Sequence, residues 1–235
     1  MATTRPNWMT AIAEGRMPRT KHLAMLLSNL PSADEPRLDL EQYTTPGDLA
    51  ATWLIEVMNN CEHDWVGREV FDLGAGNGVL GLGCALLGAS RVVLIDSDQA
   101  ALDAAMAATA QLRELVGMRA DVEFLCETLE GYWPNRIKMR EGAVIVMNPP
   151  WGTQLKKADR VLLEAAFRSS AEHIHLLHSS SAKHPMAMAK DSGWESKVVL
   201  QADFQLPATY GHHRRDQMLT RIACWAFSRP ADAEV

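Results

Sequence analysis

The sequence predicts one α/β domain in which a mostly parallel sheet, covered by helices on both faces, ends in an antiparallel pair of strands. Three features predict it: short apolar runs alternate with helical patterns, a glycine turn follows the first strand, and two strand patterns come in succession near the end. Parallel strands need helical crossovers, whereas strands joined without a helix pair antiparallel. The chain has 235 residues, of which 47% are apolar, enough for one such core.

The amino-terminal part is predicted to be helical. A basic arm precedes an apolar helical run over Leu23–Leu30, and Pro31 ends that run because proline cannot continue a helix. A longer helix is predicted to begin at Thr45, with Thr45 as its N-cap and Pro46 at the first helical position. The predicted organisation is an arm and helix over residues 1–35, a main domain over residues 36–229 and a tail over residues 230–235.

Seven strands and the helices between them account for most of the remaining chain. The predicted strands are Glu69–Leu73, Arg91–Ile95, Val122–Leu125, Gly142–Met147, Ile174–His178, Lys197–Phe204 and Thr220–Phe227. The predicted helices among them are Gln99–Val116, Ala158–His173 and one around Pro185–Lys190. Strands that alternate with helices indicate a parallel sheet, and the last two strands form the antiparallel pair.

Charge and cysteine content exclude several classes of protein. Lys and Arg number 23 against 29 Asp and Glu, a net charge of −6, so any contact with nucleic acid must use local patches. The four cysteines contain no Cys-x-x-Cys pair, which argues against a zinc knuckle or a disulfide framework. The longest apolar stretch, Val79–Ala89, contains glycines and is too short to cross a bilayer. We expect a reduced, cytoplasmic protein without a membrane segment.

A glycine-rich turn follows the first strand, in the segment Asp72-Leu73-Gly74-Ala75-Gly76-Asn77-Gly78. Glycines let the backbone turn tightly and approach a ligand, and the next helix offers free N–H groups at its start. With Gly81, the same segment also fits the Gly-x-Gly-x-x-Gly pattern of nicotinamide dinucleotide sites. A dinucleotide is therefore an alternative ligand.

Two carboxylates bear on that choice. Asp72 precedes the first glycine, where it suits a ligand with ammonium and sulfonium charges and would sit badly beside a pyrophosphate. Asp96 ends the second strand, where it can accept hydrogen bonds from both ribose hydroxyls of a nucleoside. Together with the glycine turn, these positions favour S-adenosylmethionine over a dinucleotide.

The tetrapeptide Asn148-Pro149-Pro150-Trp151 follows the fourth strand, at the edge where open α/β sheets bind ligands. The prolines fix the backbone, so that the carbonyl of Pro149 and the side-chain carbonyl of Asn148 project as rigid acceptors for a planar amino group. Two such hydrogen bonds draw the nitrogen lone pair out of conjugation and raise its nucleophilicity. Trp151 offers a face on which the target ring can stack.

An ordered set of motifs resembles a known family. The set consists of Leu40-Glu41-Gln42-Tyr43-Thr44-Thr45, the glycine turn, Asn148-Pro149-Pro150-Trp151-Gly152-Thr153, His178-Ser179-Ser180, Leu206-Pro207-Ala208-Thr209-Tyr210 and His213-Arg214-Arg215. From Leu26 to Ser228 the chain is similar to the methyltransferase-like protein five family. The resemblance implies a Rossmann-like class I methyltransferase with a seven-stranded sheet and an antiparallel terminal hairpin. It also implies S-adenosylmethionine as cofactor and N6-methylation of adenosine in structured RNA, specifically small-subunit ribosomal RNA.

The resemblance also implies which residues bind the cofactor. They are Gln42 and Thr45 upstream, Gly74, Asn77 and Val79 in the glycine turn, Asp96 on the ribose, and Glu127 with Thr128 near the cofactor adenine. We add Asp72 and Gly76 from the turn itself. This chain departs from the family at Trp151, where Phe is usual, and at Ser179, where a Lys is usual.

Small basic clusters are the candidates for RNA contact. Lys183 is a possible replacement for the Lys that is missing at position 179, and the other candidates are Lys156, Lys157, His213, Arg214 and Arg215. Their places beside the predicted pocket favour phosphate contacts over ordinary solvated loops. His173, His175 and His178 have no carboxylate or cysteine partner at ligand spacing in the sequence, so no metal site is expected.

Two alternative functions stay open. The same tetrapeptide occurs in glutamine and DNA-adenine N-methyltransferases, and the chain could also be a catalytically silent, cofactor-binding scaffold. The resemblance further implies a partner, a small zinc-binding activator of the Trm112 type, which would add a strand at residues 121–125. The alternative is that Phe124 packs under the helix Gln99–Val116 and the edge is covered within the chain.

Overall fold

The computed structural model describes residues 6–32, 45–61, 65–151, 158–205 and 219–230. The helices are α1 (Asn7–Ala13), α2 (Thr20–Leu27), α3 (Gly47–Asn60), α4 (Val79–Leu86), α5 (Gln99–Val116), α6 (Ala158–Phe167) and α7 (His184–Asp191). The strands are β1 (Glu69–Leu73), β2 (Arg91–Asp96), β3 (Asp121–Cys126), β4 (Val144–Met147), β5 (His173–Ser179), β6 (Glu195–Gln205) and β7 (Leu219–Ser228). The predicted boundary at residue 35 lies outside the described residues, so the division into arm, main domain and tail stays a prediction.

All seven strands form one sheet in the order β3-β2-β1-β4-β5-β7-β6. The first five strands are parallel, and β7 runs antiparallel to both β5 and β6. The predicted fold class, a seven-stranded, mostly parallel sheet with an antiparallel terminal hairpin, is confirmed.

Both faces of the central strands are buried, as a parallel sheet requires. All five residues of β1 are buried; Val70 belongs to the core under α2 to α5, and Phe71 to the core under α6 and α7. The alternation continues in β2, where Val92 and Val93 face opposite cores. Two apolar cores therefore pack against the sheet, one on each face.

One predicted helix ends earlier than expected, and one described helix was not predicted. The helix predicted to reach His173 ends at Phe167, because Ser169 turns the chain: its hydroxyl donates to the carbonyl of Ala166 and accepts from the amide of Ala171. The arm contains an additional helix, α1, which the sequence did not predict. No described helix is both long and apolar enough to cross a bilayer.

Thr45 does not cap the helix that follows it, so that prediction is wrong. α3 begins at Gly47 with Pro46 at the N-cap position, and no side chain caps it. The Thr45 hydroxyl instead accepts a hydrogen bond from Asn148, which lies far along the chain. Thr45 therefore contacts a residue distant in sequence, Asn148, and not the backbone of the helix that follows it.

Candidate active site

The sheet topology brings the predicted site residues to one edge. The glycine turn follows β1, Asp96 ends β2, Glu127 follows β3 and Asn148 follows β4. Parallel neighbours in register end at the same edge, where open α/β sheets bind ligands. The structure therefore places the glycine turn between Asp96 and Asn148, which come from strands on either side of β1.

The glycine turn is tied to Asp96. Gly74, Gly76 and Gly78 have φ values of +69°, +55° and +79°, a region that favours glycine. The amide of Gly76 donates to Asp96 Oδ2 at 2.8 Å, and the amide of Asp98 donates to Asp96 Oδ1 at 2.9 Å. Each carboxylate oxygen keeps a second lone pair with which it can accept a ligand hydroxyl. Burial raises the pKa of Asp96, and these amide donors oppose that effect.

Asp72 lies beneath the turn rather than beside it. Its carboxyl is 1% exposed and accepts a hydrogen bond of 2.8 Å from the amide of Gly81, in the first turn of α4. A Cβ atom at Gly81 would lie 2.5 Å from Leu94 Cδ2 and 3.1 Å from Asp72 Cβ, so glycine at this position lets α4 pack closely on β1 and β2. The pKa of Asp72 is raised to about 7: burial raises it most, the hydrogen bond from the amide of Gly81 lowers it, and nearby Asp96 raises it.

Asn77 and Val79 form the buried side of the turn. The Asn77 side-chain amide donates to the carbonyl of Pro31 at 2.9 Å, while its Oδ1 is buried without a hydrogen-bond partner. Val79, 4% exposed, begins α4. An unpaired buried carbonyl calls for a donor, and the ammonium, amine and hydroxyl groups of S-adenosylmethionine are donors. The site fits that cofactor in this respect.

Glu127 and Thr128 lie just past the end of β3. The Glu127 amide donates to the carbonyl of Asp96 at 2.9 Å, and its carboxylate pairs with Arg136. Thr128 is exposed. Their predicted contact with the cofactor adenine stays a prediction, as do the cofactor contacts of the turn.

The Asn148 side chain is held at both ends. Its Nδ2 donates to Thr45 Oγ1 at 2.9 Å, and its Oδ1 accepts from Trp151 Nε1 at 3.1 Å. Pro149 is buried, and Pro150 and Trp151 are half-buried. The amide orientation is therefore defined by its partners, with the carbonyl oxygen on the Trp151 side.

Known proteins are similar to this chain in sequence and in fold. The methyltransferase small domain family matches residues 45–176, which span the glycine turn, Asp96 and the Asn148 tetrapeptide. The chain belongs to that family. An uncharacterized protein of Methanocaldococcus jannaschii is 33% identical over 206 residues, covering 85% of this chain and 89% of that protein. The rRNA N6-adenosine-methyltransferase METTL5 of Danio rerio is 29% identical over 84% of this chain and 92% of its own length.

Among solved structures, a Pyrococcus horikoshii protein proposed to be an RNA methyltransferase is similar. It superposes with a TM-score of 0.73 at 28% identity, over 93% of this chain and all of that one. The predicted resemblance to the methyltransferase-like protein five family is confirmed, and so is the prediction of a methyltransferase. As a member of the methyltransferase small domain family, the chain has the class I fold that the sequence predicted.

The structure adds two residues to the site of this methyltransferase that the sequence did not predict. Asp159, in the first turn of α6, and His184, at the start of α7, meet His178 near the end of β5. The His178 ring stacks on Trp151, with centroids 5.7 Å apart and planes 22° apart. One feature could have indicated His178 in advance. β5 pairs with β4 in parallel, so the end of β5 lies near Asn148, which follows β4.

The same cluster has the donors of a metal site. One ligand atom each of Asp159, His178 and His184 lies within 4.8 Å of the others, so the expectation that His178 has no carboxylate partner is wrong. However, His178 Nδ1 accepts from the amide of Ser179 at 2.8 Å, which places the ring proton on Nε2, the atom that faces the cluster. A metal-bound histidine instead donates from its second nitrogen. We therefore assign no metal to this cluster.

The predicted RNA contacts lie mostly beyond the described residues. Lys183 is exposed and directly precedes His184. The other candidates, Lys156, Lys157, His213, Arg214 and Arg215, lie outside the part of the chain that the structure describes, and so does Gln42, which is predicted to bind the cofactor.

Proposed function

We propose that this chain transfers a methyl group from S-adenosylmethionine to N6 of an adenosine in structured RNA, specifically small-subunit ribosomal RNA. The observation that carries the proposal is the Asn148 side chain, held by Thr45 and Trp151 at the carboxyl end of β4, beside the glycine turn and Asp96. The name of the Danio rerio relative supports adenosine in rRNA as the substrate. The Pyrococcus horikoshii protein supports RNA more generally.

The residues that would hold S-adenosylmethionine are Asp96, Asn77 and Glu127, with Asp72 beneath the turn. When bound, this cofactor supplies an electrophilic methyl group. Asp96 offers carboxylate lone pairs for hydroxyls, and Asn77 offers its unpaired buried carbonyl. The carboxylate of Asp96 favours a cationic ligand over a pyrophosphate, whereas that of Glu127 is paired with Arg136.

Asn148 would act on the target amine. An amide oxygen has two lone pairs, so Asn148 Oδ1 can accept from an amine N–H while it keeps its bond to Trp151 Nε1. The Pro149 carbonyl is the second acceptor in the proposal. With both N–H groups bonded, the nitrogen lone pair leaves conjugation and becomes the nucleophile without prior deprotonation. The target base must leave its stack to reach this site.

We also propose that the basic clusters bind RNA phosphates and that the protein is cytoplasmic. Lys183 is exposed at the start of α7, next to His184, which contacts Asp159 beside His178. This position supports a phosphate contact by Lys183. The other clusters, Lys156-Lys157 and His213-Arg214-Arg215, are proposed on their sequence positions. None of the four cysteines, all within the described residues, forms a disulfide, which suits a reducing compartment.

We further propose that a zinc-binding activator of the Trm112 type pairs with β3. In the part of the chain that the structure describes, β3 pairs with β2 alone and lies at the sheet edge. Glu123 pairs with Arg91 in the next strand, so it is not an unpaired charge at the edge. Phe124 and Val122 pack partly on the core under α5, as the alternative expected, but they leave the backbone edge unpaired by any described strand.

Methyl transfer from deuterium-labelled S-adenosylmethionine tests the function. We expect nucleoside mass spectrometry to find labelled N6-methyladenosine in an unmodified transcript of the small-subunit rRNA of the same organism. Asn148→Ala should abolish the product while the cofactor affinity, measured by calorimetry, stays nearly unchanged, and NAD should not bind. Label in a glutamine peptide or a DNA duplex, but not in RNA, would point to the alternative enzymes. Cofactor binding without transfer to any of them, with the activator present, would point to a scaffold.

A further inference from the structure

A series of contacts runs from α6 to the proposed catalytic amide. Asp159 Oδ2 lies 3.1 Å from His178 Nε2, the His178 ring stacks on Trp151, and Trp151 donates to Asn148. Asp159 and His178 are only 3% and 2% exposed. Trp151 and Asn148 have roles in the proposed methyl transfer, whereas Asp159 and His178 have none so far assigned to them.

The His178 ring is fixed at both nitrogens. Nδ1 accepts from the Ser179 amide at 2.8 Å, so the ring proton lies on Nε2 and is donated to Asp159. Rotation of the ring would leave a buried donor and a buried acceptor without partners, which is costly. The plane that His178 presents to Trp151 is therefore determined by its hydrogen bonds.

Asp159 is suited to hold that ring. It also accepts from His184, so its carboxylate joins α6, β5 and the start of α7. Burial raises the pKa of Asp159, but hydrogen bonds from His178 and His184 outweigh it, and the pKa lies below the usual aspartate value. The carboxylate therefore remains an acceptor for both rings at neutral pH.

We propose that His178 and Asp159 are positioning residues for methyl transfer: the His178 ring, held by Asp159, fixes the plane of Trp151 and, through the indole N–H, the carbonyl oxygen of Asn148. Neither residue touches the reacting atoms. Because His178 covers one face of Trp151, a base that stacks on Trp151 must use the opposite face. This inference rests on the proposed function, since it concerns the same amide.

A double-mutant comparison tests the proposal, with methyl transfer to the unmodified small-subunit rRNA transcript as the assay. His178→Ala should lower kcat by about ten- to a hundredfold, because small displacements of a positioning group have effects of this size. In a Trp151→Ala background the same substitution should change kcat by less than about twofold, because His178 acts through Trp151. The cofactor affinity should not change. His173→Ala, at the far end of the same strand, is the matched control and should leave kcat unchanged.

Two further variants separate the ring from its hydrogen bond. His178→Phe keeps a ring for Trp151, whereas His178→Gln keeps a donor for Asp159 without a ring. We expect the Phe variant to retain the higher kcat, and this contrast decides the matter if His178→Ala does not fold. Asp159→Asn, which keeps an acceptor, should retain more kcat than Asp159→Ala.

The proposal is overturned if His178→Ala keeps kcat within about twofold of the wild type, or if its effect is equally large without Trp151. It is also overturned if the Gln variant is at least as active as the Phe variant. In those cases the loss of activity in Asn148→Ala would still leave the proposed function standing. If Asn148→Ala and Trp151→Ala both stay fully active, the proposed function itself is wrong.

Discussion

The Thr45 hydroxyl contacts a residue 103 positions away, Asn148, with a hydrogen bond of 2.9 Å. The local segment Thr-Pro-Gly-Asp predicts that Thr45 caps a helix. That prediction was wrong because the Thr45 hydroxyl accepts a hydrogen bond from Asn148 instead. The resemblance to the methyltransferase-like protein five family pointed to Thr45 as a cofactor ligand. Thr45 thus has two candidate roles, cofactor ligand and support for Asn148, which one substitution can separate.

Thr45→Val removes the hydroxyl and keeps the shape of the side chain. If Thr45 orients Asn148, kcat should fall about fivefold, the equivalent of one hydrogen bond of about 1 kcal/mol, while cofactor affinity stays the same. Thr45→Ser should restore kcat. Steady-state kinetics and calorimetry on both variants make the distinction, and a weaker cofactor affinity with unchanged kcat would contradict the positioning role.

Asp72 makes the stability of the protein depend on pH. Burial raises its folded-state pKa from 3.8 to about 7, so the folded protein binds a proton that the unfolded chain has already lost between these pH values. The contribution of Asp72 is therefore fully present below about pH 4 and is lost as pH rises through about 7, by an amount on the order of 4 kcal/mol.

Asp72→Asn keeps an acceptor for the Gly81 amide but cannot ionise. Relative to the wild type, its free energy of unfolding should be higher at pH 8 than at pH 5, as measured by urea denaturation at both values. Asp48→Asn is the control, because Asp48 is exposed on α3. An equal difference at both pH values would show that Asp72 ionises normally in the folded protein.

At the scale of elements, the sequence predicted the bounds of helices and strands best where a single local pattern determines them. The bounds of β1 and α5 agree with the prediction, because β1 is a short apolar run before glycine, and α5 is Ala-rich, capped by Asp98 and ended by Gly117 with φ +64°. The end of α6 was missed because Ser169 competes for the backbone with its hydroxyl, a contact with no periodicity. Asp159 and His184 were missed for a related reason, since only the folded chain brings three separate elements together.

The exposed edge of β3 leads to a prediction about the partner. Phe124→Asp should lose a stable one-to-one complex with the Trm112-type protein of the same organism, measured by size-exclusion chromatography of co-expressed chains. Val198→Asp is the matched control, because Val198 is 49% exposed on β6 at the opposite edge of the sheet. Phe124 is also partly buried, so circular dichroism of each isolated variant must show that it is folded.

Other binding results for these two variants would place the partner at a different surface or exclude it. A folded Phe124→Asp variant that still binds would exclude pairing at β3, and loss of binding in Val198→Asp would move the interface to β6. If the wild-type chain is monomeric and fully active, and no complex forms at micromolar concentration, there is no activator of this kind.

At the scale of the whole molecule, helix α2 shares a core with the glycine turn. Leu23, Leu26 and Leu27 of α2 are buried in the same core as Val79 of α4. The Asn77 side chain also donates to Pro31, just beyond α2. The sequence predicted α2 as part of an arm because its short apolar run says nothing about what it packs against. These contacts suggest that α2 and the methyltransferase sheet unfold together.

Leu27→Ala tests this with Met25→Ala as its control. Leu27 is 3% exposed and Met25, two positions away on the same helix, is 46% exposed. Leu27→Ala should lower the free energy of unfolding by about 2–5 kcal/mol, the usual cost of such a cavity, while Met25→Ala should change it by less than about 1 kcal/mol. Urea unfolding followed by tryptophan fluorescence and by far-UV circular dichroism should give one coincident transition in each variant. Two separate transitions, with the sheet unaffected by Leu27→Ala, would show instead that α2 is an independent arm and that the glycine turn is stable without it.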